Sequence, residues 1–307
     1  MIDLRSDWVT QPTERMWEAM RAAEPGTLPR LEAKAAELLG KEAAVWTPTC
    51  SAANLAALLT LARPGDRVAL QPDAHILTTE GMGIAHVAQL TPVGLEEAEG
   101  AALVCLENTH TRSGGTLSSV EESERIAALA PRAHLDGARL PNAAAALGAS
   151  LAELAAPADT VALSLNKGLG APFGAVLAGA APVIEEARVH LRRIGAASVH
   201  QAHIAAAAGL VALGQLGQVA DDNRRAHELA ERLARIDGLT VSEPATNLVL
   251  FSLADIDVPT VLDRLARAGV LGFLVDERRA RFVTHHAIDD EAVERAAAAV
   301  ATVRTPA

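Results

Sequence analysis

The chain has 307 residues, half of them hydrophobic, a formal net charge of −11 and two cysteines. That length can bury a substantial core and fits one large domain with a smaller one, while the acidic balance argues against nucleic acid or an anionic membrane as partner. Cys50 and Cys105 supply neither a disulfide framework nor a CxxC zinc pair, so no metal is expected and the cytoplasm is the expected compartment.

In chain order, residues 1–7 carry charges of both signs and no apolar core, unlike a signal peptide. The longest apolar stretch, 204–213, is far short of the roughly 20 residues of a membrane span. Pro12-Thr13 opens a predicted helix over 13–23, and a second over 29–39 stops at Gly40. The strand 43–47 and the turn 48–51 lead into an Ala/Leu-rich helix ending at Leu61. Short apolar strands follow at 67–70, 101–106, 133–135, 160–165 and 175–177. Continuous apolar runs are the mark of buried parallel strands, and helices between them, such as 120–129, give the alternation of an α/β fold with a mostly parallel central sheet. After about residue 215 the pattern changes to helix 222–235, strand 247–252, helix 258–268, strand 281–284 and helix 290–303. The division expected is a large domain over 1–215 and a small C-terminal α+β domain over 216–307.

Four pieces carry chemistry. Lys167, in Asn166-Lys167-Gly168-Leu169-Gly170-Ala171-Pro172, follows an apolar strand and precedes a Gly-rich turn, a setting that suits a Schiff-base lysine and equally an ordinary loop lysine. Ser164 and Lys167 also spell SxxK, but the Ser-Asp-Asn and Lys-Thr-Gly partners of that β-lactamase signature are absent. Asp136, at the end of the strand in His134-Leu135-Asp136-Gly137-Ala138-Arg139, is a buried acid in need of a cation, which a protonated pyridine nitrogen or Arg139 would supply. The interval between residues 136 and 167 leaves room for a helix and a return strand, bringing both residues to one edge of the sheet. Thr49, Cys50 and Ser51 stand at a strand-to-helix junction that binds phosphate or is merely capped by a hydroxyl. His75 and His110 lie near strand ends, where one could stack on an aromatic ring and the other exchange protons with a hydroxyl, or both be structural. No GxGxxG follows the first strand, which removes a Rossmann-type nucleotide binder.

Taken in order, these pieces resemble the threonine aldolase/β-eliminating lyase family of fold-type I enzymes dependent on pyridoxal 5'-phosphate (PLP). The resemblance covers nearly the whole chain, from Ile2-Asp3-Leu4-Arg5-Ser6-Asp7 through Glu107-Asn108-Thr109-His110 and the segments around Asp136 and Lys167 to Thr246-Asn247 and Arg281-Phe282-Val283-Thr284-His285. It implies that Lys167 holds PLP as a Schiff base, Asp136 pairs with the pyridine nitrogen and His75 stacks on the ring. It further implies that Thr49, Cys50 and Ser51 cradle the phosphate, with Arg139 close to the cofactor. Ser6, Arg139 and Arg281 would fix the substrate carboxylate, and His110 would lie near the β-hydroxyl. The reaction implied is retro-aldol cleavage of a β-hydroxy amino acid, of the L-threonine or L-allo-threonine type, to glycine and an aldehyde. A homo-oligomer, dimer or tetramer with shared active sites, goes with it.

The chain departs from the family pattern at several points. Only Pro25-Gly26-Thr27-Leu28-Pro29-Arg30 stands where relatives carry a longer acidic loop. Thr49-Cys50-Ser51 replaces Ser-Gly-Thr, Asn166 replaces a serine and Trp8 a small hydroxyl residue. Trp8 and the short loop are expected to reshape the substrate end and leave the cofactor end intact. Another PLP-dependent β-eliminating lyase or racemase acting on a small amino acid, and a non-catalytic PLP-binding homologue, are the alternatives. Elimination of the tyrosine phenol-lyase type is disfavoured because the chain has no tyrosine.

Overall fold

The computed structural model describes residues 1–197, 199–253 and 257–304. A short strand β1 (Ile2–Asp3) opens the chain, and a seven-stranded sheet forms its centre. The spatial order of that sheet is β2 (Ala43–Thr47), β8 (Ala175–Gly179), β7 (Thr160–Ser164), β6 (Ala133–Asp136), β5 (Leu103–Glu107), β3 (Arg67–Leu70) and β4 (Thr91–Gly94). Neighbours from β7 to β4 are parallel, and β8 runs antiparallel to β2 and β7. Strands β5 to β8 are buried along their whole length, which is why their sequences read as apolar runs without alternation. Helices cover both faces: Leu31, Leu163, Val176 and Ala206 share one core, while Ala53, Ala57, Leu177 and Ile184 share another.

Local chemistry sets the helix ends. The Thr13 side chain accepts from the Met16 N–H ahead of helix Glu14–Arg21, and Gly40, at φ 62°, follows helix Thr27–Leu38. The Ser150 side chain forms a capping box with Glu153 at the start of Leu151–Ala155. Sequence reading passes over β4 and helix Ala181–Arg193. Pro92 blurs β4, in keeping with its edge position, and Pro182 sits in the first turn of the helix, where a missing N–H costs nothing.

In the C-terminal part, β9 (Leu239–Val241), β10 (Leu248–Leu253), β12 (Phe273–Leu274) and β13 (Arg279–Val283) form an antiparallel sheet in the order β12-β13-β10-β9, while β11 (Val270–Leu271) pairs in parallel with β1. Ile2 and Leu4 share a core with Phe251 and Phe282, and the Leu4 carbonyl accepts from the Val283 N–H. The first residues of the chain are therefore fastened to the C-terminal half, which carries Ser6, Asp7 and Trp8 to the border of both sheets. Among the described residues no single helix is long and apolar enough to cross a membrane.

Candidate active site

Strands β5, β6 and β7 are parallel, with Glu107 opposite Asp136 and Asp136 opposite Ala162, so their C-terminal ends fall together. That is where ligands bind in open α/β sheets, beyond the carboxyl ends of the strands. The chain between Asp136 and Lys167 holds helices Leu140–Leu147 and Leu151–Ala155 before β7 returns. Beyond β7 the Gly170 N–H donates to the Lys167 carbonyl at 2.8 Å and the Ala171 N–H to the Leu165 carbonyl at 2.9 Å, closing the turn. Gly170 sits at φ 74° with His286 against it: an added Cβ would come within 2.7 Å of the ring. A side chain there would strain the backbone and displace the lysine's turn.

A cavity of about 400 Å³ opens over these strand ends, lined by Ser6, His75, Arg139, Lys167 and Arg281, together with Glu107, Thr111 and an apolar group that includes Trp8 and Phe273. The chain has three lysines. Lys34 bonds Glu37, and Lys41 donates to the Ala158 carbonyl. Lys167 alone lines the cavity, and its ammonium has no hydrogen bond or ion pair among the described residues. Its charge nevertheless acts on Asp7, Cys50 and His75.

Asp136, 3% exposed, anchors a buried polar chain. The Asn54 amide donates to Asp136 Oδ2 at 2.9 Å and to Glu80 Oε1 at 2.9 Å, and the Ala138 N–H donates to Asp136 Oδ1 at 3.2 Å. His134 bonds Asn54 Oδ1 through Nε2 and Thr160 Oγ1 through Nδ1; burial lowers its pKa to about 4, so the ring is neutral. Arg139 does not pair with Asp136. Its fork closes on Asp7, Nε to Oδ2 at 2.7 Å and Nη2 to Oδ1 at 2.8 Å, while Nη1 reaches Thr111. Burial alone would push the Asp7 carboxyl up, but the Arg139 guanidinium outweighs it and holds the acid well below the usual carboxylate range. Ser6 Oγ bonds the same Asp7.

Arg281 is different. It is half-buried, its Nε is buried without a partner among the described residues, and its guanidinium lies 4.7 Å from the centre of the Phe273 ring. Burial, then the nearby Arg139 charge, lowers its pKa to about 10, still cationic at neutral pH. Arg281, like Arg112 on the same lining, is therefore left open to an incoming carboxylate, whereas Arg139 has spent its fork.

His75 takes a hydrogen bond between Nδ1 and Glu80 Oε1 at 3.0 Å, which raises its pKa, and its backbone N–H donates to Glu107 Oε2. His75, Glu80 and Asp136 bring their ligand-type atoms within 4.8 Å of one another, with the Asn54 amide donating to both acids. His110 is not among the cavity-lining residues: its Nδ1 bonds Ser113 and its Nε2 stands 3.9 Å from Glu107 Oε2, which does face the cavity. Thr49 caps its helix by accepting from the Ala52 N–H. The N–H groups of Cys50 and Ser51, in the first turn of helix Cys50–Leu61, have no intrahelical acceptor. Cys50 Sγ lies 3.9 Å from Asp136 Oδ1, and burial, then the Asp136 charge, pushes its thiol well up, so it stays neutral. Thr49, Cys50, Ser51 and Asp136 are not among the cavity-lining residues.

Sequence reading misses Asp7, Asn54, Glu80 and Glu107 as site residues. Glu107 had a signal, since it ends an apolar strand as Asp136 does; the partners of Asp7 and Asn54 lie 132 and 82 residues away and left none. Of the two substrate-end departures, Trp8 lines the cavity and residues 25–30 do not.

The β-eliminating lyase family model matches this chain over residues 3–103 and 98–256. Low-specificity L-threonine aldolase 1 of Arabidopsis thaliana is 35% identical, covering 94% of this chain and 92% of that protein. The low specificity L-threonine aldolase of Escherichia coli K12 is 32% identical, covering 97% and 98%. Among solved structures, Leishmania major threonine aldolase superposes with a TM-score of 0.82 at 20% identity, covering 99% of both chains. Sphingomonas wittichii serine palmitoyltransferase gives 0.77 at 18% identity, covering 98% of this chain and 86% of that one. The architecture is the fold-type I arrangement, and with sequence agreement running from the first strand through Asp136 and Lys167, the chain belongs to the β-eliminating lyase family, among its threonine aldolases.

Proposed function

We propose that this protein is a PLP-dependent aldehyde-lyase that cleaves a β-hydroxy amino acid of the L-threonine or L-allo-threonine type to glycine and an aldehyde. The observation that carries the reading is Lys167, the one lysine of three at the cavity and unpaired among the described residues, following strand β7 next to β6, whose terminal Asp136 is buried without an ion pair among them. The residues fit the cofactor. A carboxylate 3% exposed and bonded only to neutral donors favours a protonated pyridine nitrogen as partner. The open N–H groups of Cys50 and Ser51 suit a phosphate.

Lys167 would hold PLP, Asp136 would face its ring nitrogen and His75 its ring. Bound there, the cofactor supplies the electron sink that stabilises charge at Cα when the Cα–Cβ bond breaks. The protein's own work is positioning and proton handling. Arg281 takes the substrate carboxylate, with Ser6 beside it. The Glu107–His110 pair, with Oε2 and Nε2 3.9 Å apart, holds the proton that leaves the β-hydroxyl. His134 and Asn54, both 0% exposed, keep Asp136 oriented and shielded from water. A cytoplasmic homo-oligomer completes the proposal. It is supported by two unpaired thiols, Cys50 and the buried Cys105, and by exposed apolar side chains such as Trp17 and Phe173 that a second copy would cover.

The test is to incubate the PLP-loaded protein with L-allo-threonine and measure both products. Glycine and acetaldehyde in equal amounts, absent with Lys167→Ala, support the reading. No glycine from any β-hydroxy amino acid contradicts it.

A further inference from the structure

The turn that carries Lys167 is gripped by the C-terminal half of the chain. Helix Val219–Ala234 lies against its first glycine. The Gln218 amide, just ahead of that helix, donates to the Gly168 carbonyl at 3.2 Å. A Cβ placed on Gly168 would come within 3.4 Å of Val219 and 3.9 Å of Asp222 Oδ2. His286 covers Gly170 on the same turn.

Asp222 is out of place in this contact. It is 0% exposed, and both carboxylate oxygens are without a hydrogen-bond partner among the described residues. Ionising a buried carboxyl that no donor faces is costly. The charges around it do not offset that cost. Asp7, held as an anion by Arg139, repels a second anion, and Asp221 adds to the repulsion. Arg225 acts against them, but its Nε is bonded to Asp290. Helix Leu140–Leu147 and strands β9 and β10, packed on the same helix, carry no titratable residue. Asp290 and Glu294 of helix Asp290–Arg304 bond Arg224, Arg225 and Arg232. On the turn's side, Lys167 lines the cavity, and burial holds His286 below the usual histidine range.

We propose that Asp222 is a positioning residue for the cofactor lysine: its protonated carboxyl lets helix Val219–Ala234 close on the Lys167 turn, and its ionisation opens that contact. The inference rests on the PLP reading only in what the turn carries. A carboxylate at Asp222 gains hydration by leaving the contact, so opening releases a proton. With the carboxyl titrating at about 7 in the closed form and at its ordinary 3.8 in the open one, the open population rises about tenfold per pH unit between them and levels above 7.

The experiment measures hydrogen-exchange protection of segment 165–174, whose Gly170 and Ala171 N–H groups close the turn, from pH 5 to pH 8. Full-length wild type, Asp222→Asn and Asp222→Leu are compared without PLP, and the rate of PLP loss from each loaded protein is followed alongside. Wild-type protection is expected to fall about tenfold between pH 5 and pH 6 and to level above pH 7, while both variants stay flat. PLP loss from wild type, relative to either variant, is expected to quicken in step. The same profile in wild type and a folded variant overturns the inference. Should neither variant fold, the wild type decides: a fall confined to 165–174 and the facing helix supports the inference, and one spread over the central strands overturns it. If no PLP binds at any pH, the cofactor reading fails, while exchange in the PLP-free protein still decides the role of Asp222.

Discussion

The floor of the cavity and its rim are built on opposite principles. Behind the floor, joined to its His75 through Glu80, Asp136, Asn54, His134 and Thr160 form a continuous hydrogen-bonded chain, each member no more than 3% exposed. On the rim, Trp8, Phe273 and Leu274 stand in water with apolar neighbours. A fully satisfied buried network is rigid, and every member is costly to change, because each loss strands another polar atom. An exposed apolar rim tolerates substitution and leaves room for specificity to drift while the chemistry beneath is retained.

The largest expected effect lies on the floor. Lys167→Ala is expected to abolish glycine formation in a product assay while the circular dichroism spectrum keeps its helical content. Retained turnover would break the assignment of the floor to the cofactor.

Next is the link between floor and rim. Asp7→Ala leaves the buried Arg139 guanidinium without its acid, and a cost of about 3–5 kcal/mol is expected in urea unfolding. A cost under about 1 kcal/mol, the scale of a surface pair, would show that the pair does not fasten the rim.

Asn54→Leu sharpens the comparison within the floor. It removes a donor to Asp136 and Glu80 and the acceptor facing His134, so a loss of about 1–3 kcal/mol is expected. A variant as stable as wild type would mean that the network contributes no rigidity.

The smallest expected effect depends on pH. Both carboxylate oxygens of Asp222 are buried without partners among the described residues, and burial, then the Asp7 charge, pushes its carboxyl up to about 7 from an ordinary 3.8. The folded state therefore holds this proton more tightly than the unfolded chain. Its stabilising contribution is full below about pH 4 and is lost as pH rises through 7. Asp222→Asn, which cannot ionise, is expected to gain in Tm relative to wild type between pH 4 and pH 8. A Tm difference independent of pH would contradict this.

Much of the floor was legible in the sequence because its signals are local. Strand β6 ends in Asp136 and β7 leads to the Gly-rich turn of Lys167, and the α/β order of elements can be read from successive apolar runs. The alternatives for Asp136 and Thr49 could not be separated that way. Only the fold shows Arg139 turned to Asp7, across 132 residues, and Thr49 Oγ1 spent on the Ala52 N–H. Tertiary pairing of the N-terminus was equally silent: Ile2–Asp3 is too short for a periodic signal, yet its register with Val270–Leu271 sets where Ser6 and Trp8 fall. Trp8 was visible as a departure, but its exposure on the rim beside Phe273 depends on contacts that only folding creates.

The central claim, that the cofactor is held on Lys167, is tested most directly by reducing the PLP-loaded protein with borohydride and mapping the modified peptide by mass spectrometry. One pyridoxyl group on Lys167, absent from Lys167→Ala, is the result the account predicts. A label on Lys34 or Lys41, or none, would contradict it.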